Sequence, residues 1–159
     1  MNIGIPKESR PFEYRVGLSP AGVEILTQKQ NQVYVEHDAG VTTGFSDADY
    51  EKVGARLVFS TEEAFGRADL LLKVSRPVHD ELNWLRAGTI LAGFLHLASA
   101  QQDKIDILLE KKITSIAYEQ ITAPDGSLPV LRPFSQIGGA RRHRLRRACF
   151  KIIGAVRAS

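Results

Sequence analysis

The sequence predicts an α/β fold, a mostly parallel sheet with helices on both faces. Three observations predict it. Short apolar runs alternate with segments that open on helix caps, the pattern of βαβ units. Two of the runs, Leu70–Val74 and Thr89–Leu95, are almost continuously apolar, as in strands covered on both faces. The 159 residues are 43% hydrophobic and 25% charged, ordinary for a globular domain long enough to bury a core.

The elements follow in order. Ile3–Pro6 reads as the first strand. Ser19-Pro20 starts a helix, with Ser as cap and Pro at the first helical position, and Val23 and Leu26 share one face. Gln32–Glu36 is the second strand. Ser46 and Asp49 form a capping pair for a short helix that Gly54 stops, and Arg56–Phe59 is the third strand. Ser60-Thr61-Glu62-Glu63 is a capping box. The strands Leu70–Val74 and Thr89–Leu95 come next. A second capping box, Ser99 with Gln102, opens a helix that places Ile105, Leu108 and Leu109 on one face, and Lys112–Ala117 closes the series. Pro124–Ser127 is a turn. Leu128–Gly139 has no clear period and reads as a crossing segment rather than a strand. The order makes the sheet Rossmann-like (flavodoxin-like).

Several function classes fall away. The one cysteine, Cys149, forbids an intrachain disulfide. No apolar run reaches the ~20 residues of a transmembrane helix. The N-terminus lacks the basic-then-apolar layout of a signal peptide, so the default expectation is a cytoplasmic protein with no membrane partner. The net charge of +3 divides unevenly: residues 1–140 hold 14 Lys/Arg against 18 Asp/Glu, a balance of −4, and residues 141–159 hold seven basic residues and no acid. An acidic body thus carries a basic tail, and the expected boundary separates a domain of residues 1–139 from a tail of residues 140–159.

In open parallel sheets ligands bind beyond the carboxyl ends of the strands. Three polar residues stand at such ends: Arg15 after the first strand, Lys73 near the end of the fourth, and His96 just past the fifth. A guanidinium grips a carboxylate with two parallel bonds, an ammonium anchors a second oxygen, and an imidazole moves a proton near neutrality. Together they suit a small 2-oxo or 2-amino acid. Each has a plainer reading: a solvated charge for Arg15, a rim charge for Lys73, a core histidine for His96. His37, His79 and His143 read as surface residues. No spacing of His, Cys and acids suggests a metal, and no Gly-x-Gly-x-x-Gly follows a strand.

Taken in order, these residues resemble a known family. Met1–Glu8 with Arg15–Val23, then Gly44-Phe45-Ser46-Asp47, Leu72-Lys73-Val74 with Pro77, Phe94–Ala98, Ala117-Tyr118-Glu119 and Asp125–Pro129 look like the N-terminal domain of the alanine dehydrogenase and pyridine nucleotide transhydrogenase family. His96-Leu97-Ala98 and Asp125-Gly126-Ser127-Leu128-Pro129 resemble the alanine dehydrogenase branch, which interconverts L-alanine and pyruvate with NAD. The resemblance implies that Arg15 and Lys73 bind the substrate carboxylate and carbonyl, that His96 transfers the proton, and that Ser135 lies near the nicotinamide. It also implies a homo-oligomer, no nucleic-acid partner, and a second, NAD-binding domain with a catalytic aspartate. Phe134, Gln136 and Gly138 stand where the family has Met, Glu and Ala.

The basic run from Arg141 to Arg147 does not match the family's crossing helix. Reading the possible codons of Cys149–Ser159 one nucleotide earlier permits Leu-Leu-Gln-Asn-His-Arg-Gly-Gly-Pro-Gly-Ile, which resembles the family's approach to its first Rossmann strand. The tail therefore reads as a frameshifted remnant, poorly packed on the body, in a chain truncated before its NAD domain, inactive alone and binding NAD weakly at most. The alternatives are an authentic basic tail, a transhydrogenase alpha-type domain working with a separate chain, and a stand-alone 2-oxo acid binding module.

Overall fold

The computed structural model describes residues 1–137. The expected 139/140 boundary and the basic tail lie outside these residues. The described residues divide into two compact units, Met1–Tyr118 and a second that begins at Glu119.

The first unit is a six-stranded sheet in the order β3-β2-β1-β4-β5-β6. The strands are β1 (Asn2–Ile5), β2 (Gln32–Glu36), β3 (Arg56–Val58), β4 (Leu70–Ser75), β5 (Ile90–Phe94) and β6 (Thr114–Ala117). Every pairing is parallel. This is the doubly wound Rossmann order, not the five-strand flavodoxin order, and its topological switch point lies between β1 and β4.

The two faces have separate cores. On one, Ile3, Ile5, Val33 and Val35 pack against α1 (Pro20–Gln28) and α2 (Asp47–Lys52) through Val23 and Tyr50. On the other, Leu71, Leu91 and Leu95 meet α3 (Thr61–Arg67), α4 (His79–Trp84) and α5 (Gln102–Glu110) through Phe65, Leu82 and Leu108. Strand alternation assigns the sides: Ile3 and Ile5 face one core, while Gly4 faces the other, where a Cβ would stand 2.6 Å from the Ala64 carbonyl oxygen. Glycine is what lets α3 close on the sheet. No helix among the described residues is long and apolar enough to cross a membrane.

The caps behave unevenly. Ser19 accepts from Gly22 N–H with Pro20 at the start of α1, and Ser46 and Asp49 form a complete capping box. Only half of the Ser60 box forms: its hydroxyl accepts from Glu63 N–H, but the Glu63 carboxylate takes Phe59 N–H and pairs with Arg67 instead. The Ser99 box does not form. His96 turns the chain into the left-handed region (φ 46), Leu97–Ser99 closes a 3-10 turn, and the Ser99 hydroxyl bonds back to the His96 carbonyl. The helix then starts from Gln101 without a side-chain cap, and its inner face is Leu108 with Ile107, while Leu109 is 69% exposed.

Helix α4 is absent from the sequence reading because its cap residue, Val78, has no polar side chain and its turns are mostly polar. Its C-terminus is closed from a distance. The Lys111 ammonium donates to the carbonyls of Leu82, Asn83 and Leu85 at 2.8, 2.7 and 2.8 Å, replacing the partners that helix-end carbonyls lack. In the second unit, Asp125 accepts from Ser127 N–H in the expected turn, with Gly126 at φ 79. Residues 131–137 are helical, so the crossing segment is not a strand and has a helical part that its composition hid.

Lys111→Met keeps the aliphatic stem and removes the charged donor. It should destabilise the fold by about 1.5–3 kcal/mol, the range for hydrogen bonds to a charged group, seen as a lower urea midpoint at unchanged m.

Candidate functional site

Beyond the carboxyl end of β1 lies a cleft of about 240 Å³. The loop after β1 builds most of it: Lys7, Glu8, Arg10, Glu13, Tyr14 and Arg15 line it, with Ala39 and Thr42 from beyond β2. That loop is pinned at both ends. Glu36 accepts Lys7 N–H at 2.9 Å. At the other end Gly17 lies directly on β4, where a Cβ would collide with the Leu72 carbonyl oxygen. Only a glycine allows that approach, and it fixes Arg15 two residues away.

Arg15 and Glu13 form a two-pronged pair. The guanidinium donates from Nε and Nη2 to the two Glu13 oxygens at 2.8 and 2.6 Å, and Arg15 N–H donates to the same carboxylate. Ser75 Oγ donates to Glu13 at 3.1 Å from the end of β4. The Arg15 bonds hold the Glu13 carboxyl down at about 2, against the opposing effect of its burial, and Glu13 in turn raises the Arg15 pKa. The cleft holds three cations, Lys7, Arg10 and Arg15, against Glu8 and Glu13. With Glu13 bound to Arg15, the balance suits an anion.

His96 stands on the neighbouring stretch of the same rim. Ser75 pairs with Phe94 across β4 and β5, and His96 follows two residues later. Its ring stacks on Phe94 at 6.3 Å, and Phe94 meets Tyr118 edge to face at 5.6 Å. Burial raises the Tyr118 pKa. His96 is exposed and in the left-handed conformation, a strain that costs about 1–3 kcal/mol in a side chain other than glycine and gathers at functional sites.

The family described as "Alanine dehydrogenase/PNT, N-terminal domain" matches residues 4–138. The chain belongs to the alanine dehydrogenase and pyridine nucleotide transhydrogenase family. It is 45% identical over 139 residues to alanine dehydrogenase of Mycobacterium tuberculosis (strain CDC 1551 / Oshkosh) and likewise 45% to that of Halomonas elongata, covering 87% of this chain and 37% of each relative. Among solved structures it resembles an L-alanine dehydrogenase with a TM-score of 0.81 at 39% identity, over 85% of this chain and 37% of that one. A transhydrogenase from Sinorhizobium meliloti follows with a TM-score of 0.69 at 31% identity, over 75% of this chain and 34% of that one. The chain thus spans little more than a third of the length of these relatives.

As a domain of this family, it places the residues singled out by sequence unequally. Arg15 lines the cleft. Lys73 does not: its side chain is 1% exposed and its ammonium bonds Glu81 Oε1 at 3.0 Å, with Glu8 Oε2 at 3.5 Å. It lies inside the fold, 5.7 Å from the centre of the Phe65 ring. The residue that β4 presents at the rim is Ser75. The sequence pattern puts Lys73 there because it ends the strand at Val74, whereas β4 runs on to Ser75 and the Lys73 ammonium pairs inward with Glu81 and Glu8. Glu8, Glu13, Ser75 and Glu81 carried no local signal and were missed. Ser135 is exposed, within the helical residues 131–137 of the second unit.

The first βα loop does not fit a dinucleotide pyrophosphate. Gly17, the loop's glycine, is packed on Leu72 rather than open, and α1 begins with Ser19 on an N–H and Pro20 with none to give. Such a cradle needs free N–H groups at a helix start. Elsewhere, His37 lies between Asp47 Oδ2 at 2.5 Å and Asp38 Oδ2 at 3.3 Å, a group of metal-ligand types that sequence spacing did not suggest. Both ring nitrogens already face carboxylates.

The Glu13 pKa sets an acid limb. Depressed to about 2 from 4.5, it contributes stability that is present above 4.5 and is lost as the pH falls toward 2. Glu13→Gln should lower the melting temperature near neutrality, and its gap to wild type should narrow through that window in thermal melts.

Proposed function

We propose that this domain supplies the substrate half of an alanine dehydrogenase-type reaction, with pyruvate or L-alanine held in the cleft beyond the carboxyl end of β1. The observation that carries the reading is the Arg15 guanidinium, oriented by Glu13 and Ser75 in a cleft with a surplus of cations. Arg15 takes the substrate carboxylate in a two-pronged grip, exchanging or sharing Glu13. Ser75, on the rim beside it, offers a hydroxyl toward the carbonyl or amino group. His96, mounted on Phe94 and exposed, transfers the proton. Lys73 supports the site from within by fixing Glu8 and Glu81, and does not touch the substrate in this reading.

In this reading NAD is the cofactor of the reaction, and Ser135 lies near the nicotinamide. The first βα loop offers no pyrophosphate cradle. A polypeptide of these 159 residues should bind substrate without turning it over, because positioning of cofactor against substrate supplies much of the rate. The likeness to the transhydrogenase supports a second reading, in which the domain works beside a separate chain.

Pyruvate should bind residues 1–159 near the millimolar range, about 4 kcal/mol. Arg15→Lys keeps the charge and loses the fork, and should weaken binding about tenfold or more in calorimetric or NMR titrations. Equal affinity of wild type and variant, or no binding at tens of millimolar, would overturn the assignment. With NADH, ammonia and pyruvate, NADH oxidation above a His96→Ala control would refute the claim that these residues alone lack turnover.

A further inference from the structure

Strand β4 outruns its neighbour. β1 pairs with it only at Leu70 and Leu71, yet β4 continues to Ser75. The N–H groups beyond that pairing need a partner on the β1 side. A side chain provides it. Glu8, three residues past the end of β1, accepts Val74 N–H at 2.6 Å and Ser75 N–H at 3.4 Å, both on Oε1. Its other oxygen, Oε2, is buried without a hydrogen-bond acceptor or donor, 3.5 Å from the Lys73 ammonium.

The surroundings hold one cation and two carboxylates. From β4, Lys73 faces Glu8; from α4, Glu81 does so, already bonded to Lys73, Ser9 and Val78 N–H. From the loop, Arg15 acts at longer range, with Lys7, Arg10 and Glu13 along the same cleft. Two ionised carboxylates would leave this pocket with a buried net negative charge, which low-dielectric surroundings penalise. Burial raises the Glu8 pKa beyond the lowering exerted by Lys73 and the two backbone N–H groups, and Glu81 adds to the rise.

We propose that Glu8 is a positioning residue of the cleft: as a neutral carboxyl it fixes the end of β4 and leaves the cleft cationic. Neutral Glu8 keeps Oε1 as the acceptor for Val74 and Ser75, which holds Ser75 where its hydroxyl meets Glu13, and Glu13 holds Arg15. It also removes one of the two negative charges that line the cleft. When Glu8 ionises, its bonds to Val74 and Ser75 N–H persist, but the pocket takes on an unbalanced buried charge that costs stability and cancels part of the attraction for an anion. The proposal rests on the reading of the cleft as a carboxylate site for its binding consequence only.

The sign follows from linkage. A carboxyl whose pKa is raised on folding contributes stability below its ordinary value, and that contribution is lost as the pH rises through the raised one. Three measurements on the 159-residue chain test it. The Glu8 carboxyl carbon, assigned through its own backbone and followed by 13C NMR, should titrate well above 4.5. The wild-type melting temperature should fall as the pH rises through that midpoint, and Glu8→Gln, a permanently neutral mimic, should lose the fall. Pyruvate affinity should drop several-fold across the same midpoint in wild type and stay level in Glu8→Gln. Titration of Glu8 at its ordinary value overturns the proposal, whether or not the variant folds. So does a Glu8→Gln melting profile that follows wild type. If the titration and melting behave as stated and wild type binds no pyruvate at any pH, the positioning role stands and the carboxylate reading of the cleft fails.

Discussion

The mismatch between the ends of β1 and β4 governs the rim of this domain. A parallel sheet leaves a row of unpaired N–H groups wherever one strand runs past its neighbour. Here the row falls at the topological switch point, where the doubly wound order opens a crevice. The Glu8 carboxyl fills the missing ladder positions, Lys73 lies beside it and is itself bonded to Glu81, and Ser75 emerges beside Glu13 and Arg15. A buried ion cluster is costly to assemble and more costly to break. The rim is therefore set by a few polar contacts inside the fold rather than by the loop's own preferences.

Much of the architecture was readable from local pattern. The strands around Leu71 and Leu91 announce themselves because both their faces are covered, so they are nearly continuous apolar runs, Lys73 apart. Ser19-Pro20 and Ser46 with Asp49 mark helix starts because caps act within one turn. What escaped depended on distant partners. Helix α4 is finished by Lys111, 26 residues beyond Leu85. The Ser99 cap fails because His96, three residues earlier, takes a left-handed turn that sends the Ser99 hydroxyl backward.

The candidate site divides in the same way. Arg15 and His96 were readable as polar residues at strand ends, and the fold places both on the carboxyl rim. Lys73 was readable as an anomaly, a charge in an apolar strand, but not its direction. Glu8 and Glu81, distant from it in sequence, draw the ammonium inward. Glu13 and Ser75 are unremarkable in sequence, since each matters only through the other and through Arg15. The geometry joins Arg15, Glu13 and Ser75 through hydrogen bonds and leaves Lys73 inside the fold.

The central claim is that the cleft beyond β1 is a carboxylate site built by Arg15 and Glu13, with Ser75 bonded to Glu13. Amide chemical-shift mapping of the 159-residue chain during a pyruvate titration tests it most directly. The account predicts that the largest saturable shifts fall on residues 13–15 and 74–75, with smaller ones near His96. Saturable shifts confined to other parts of the domain, such as the edge strand β3, or none at all, would contradict it.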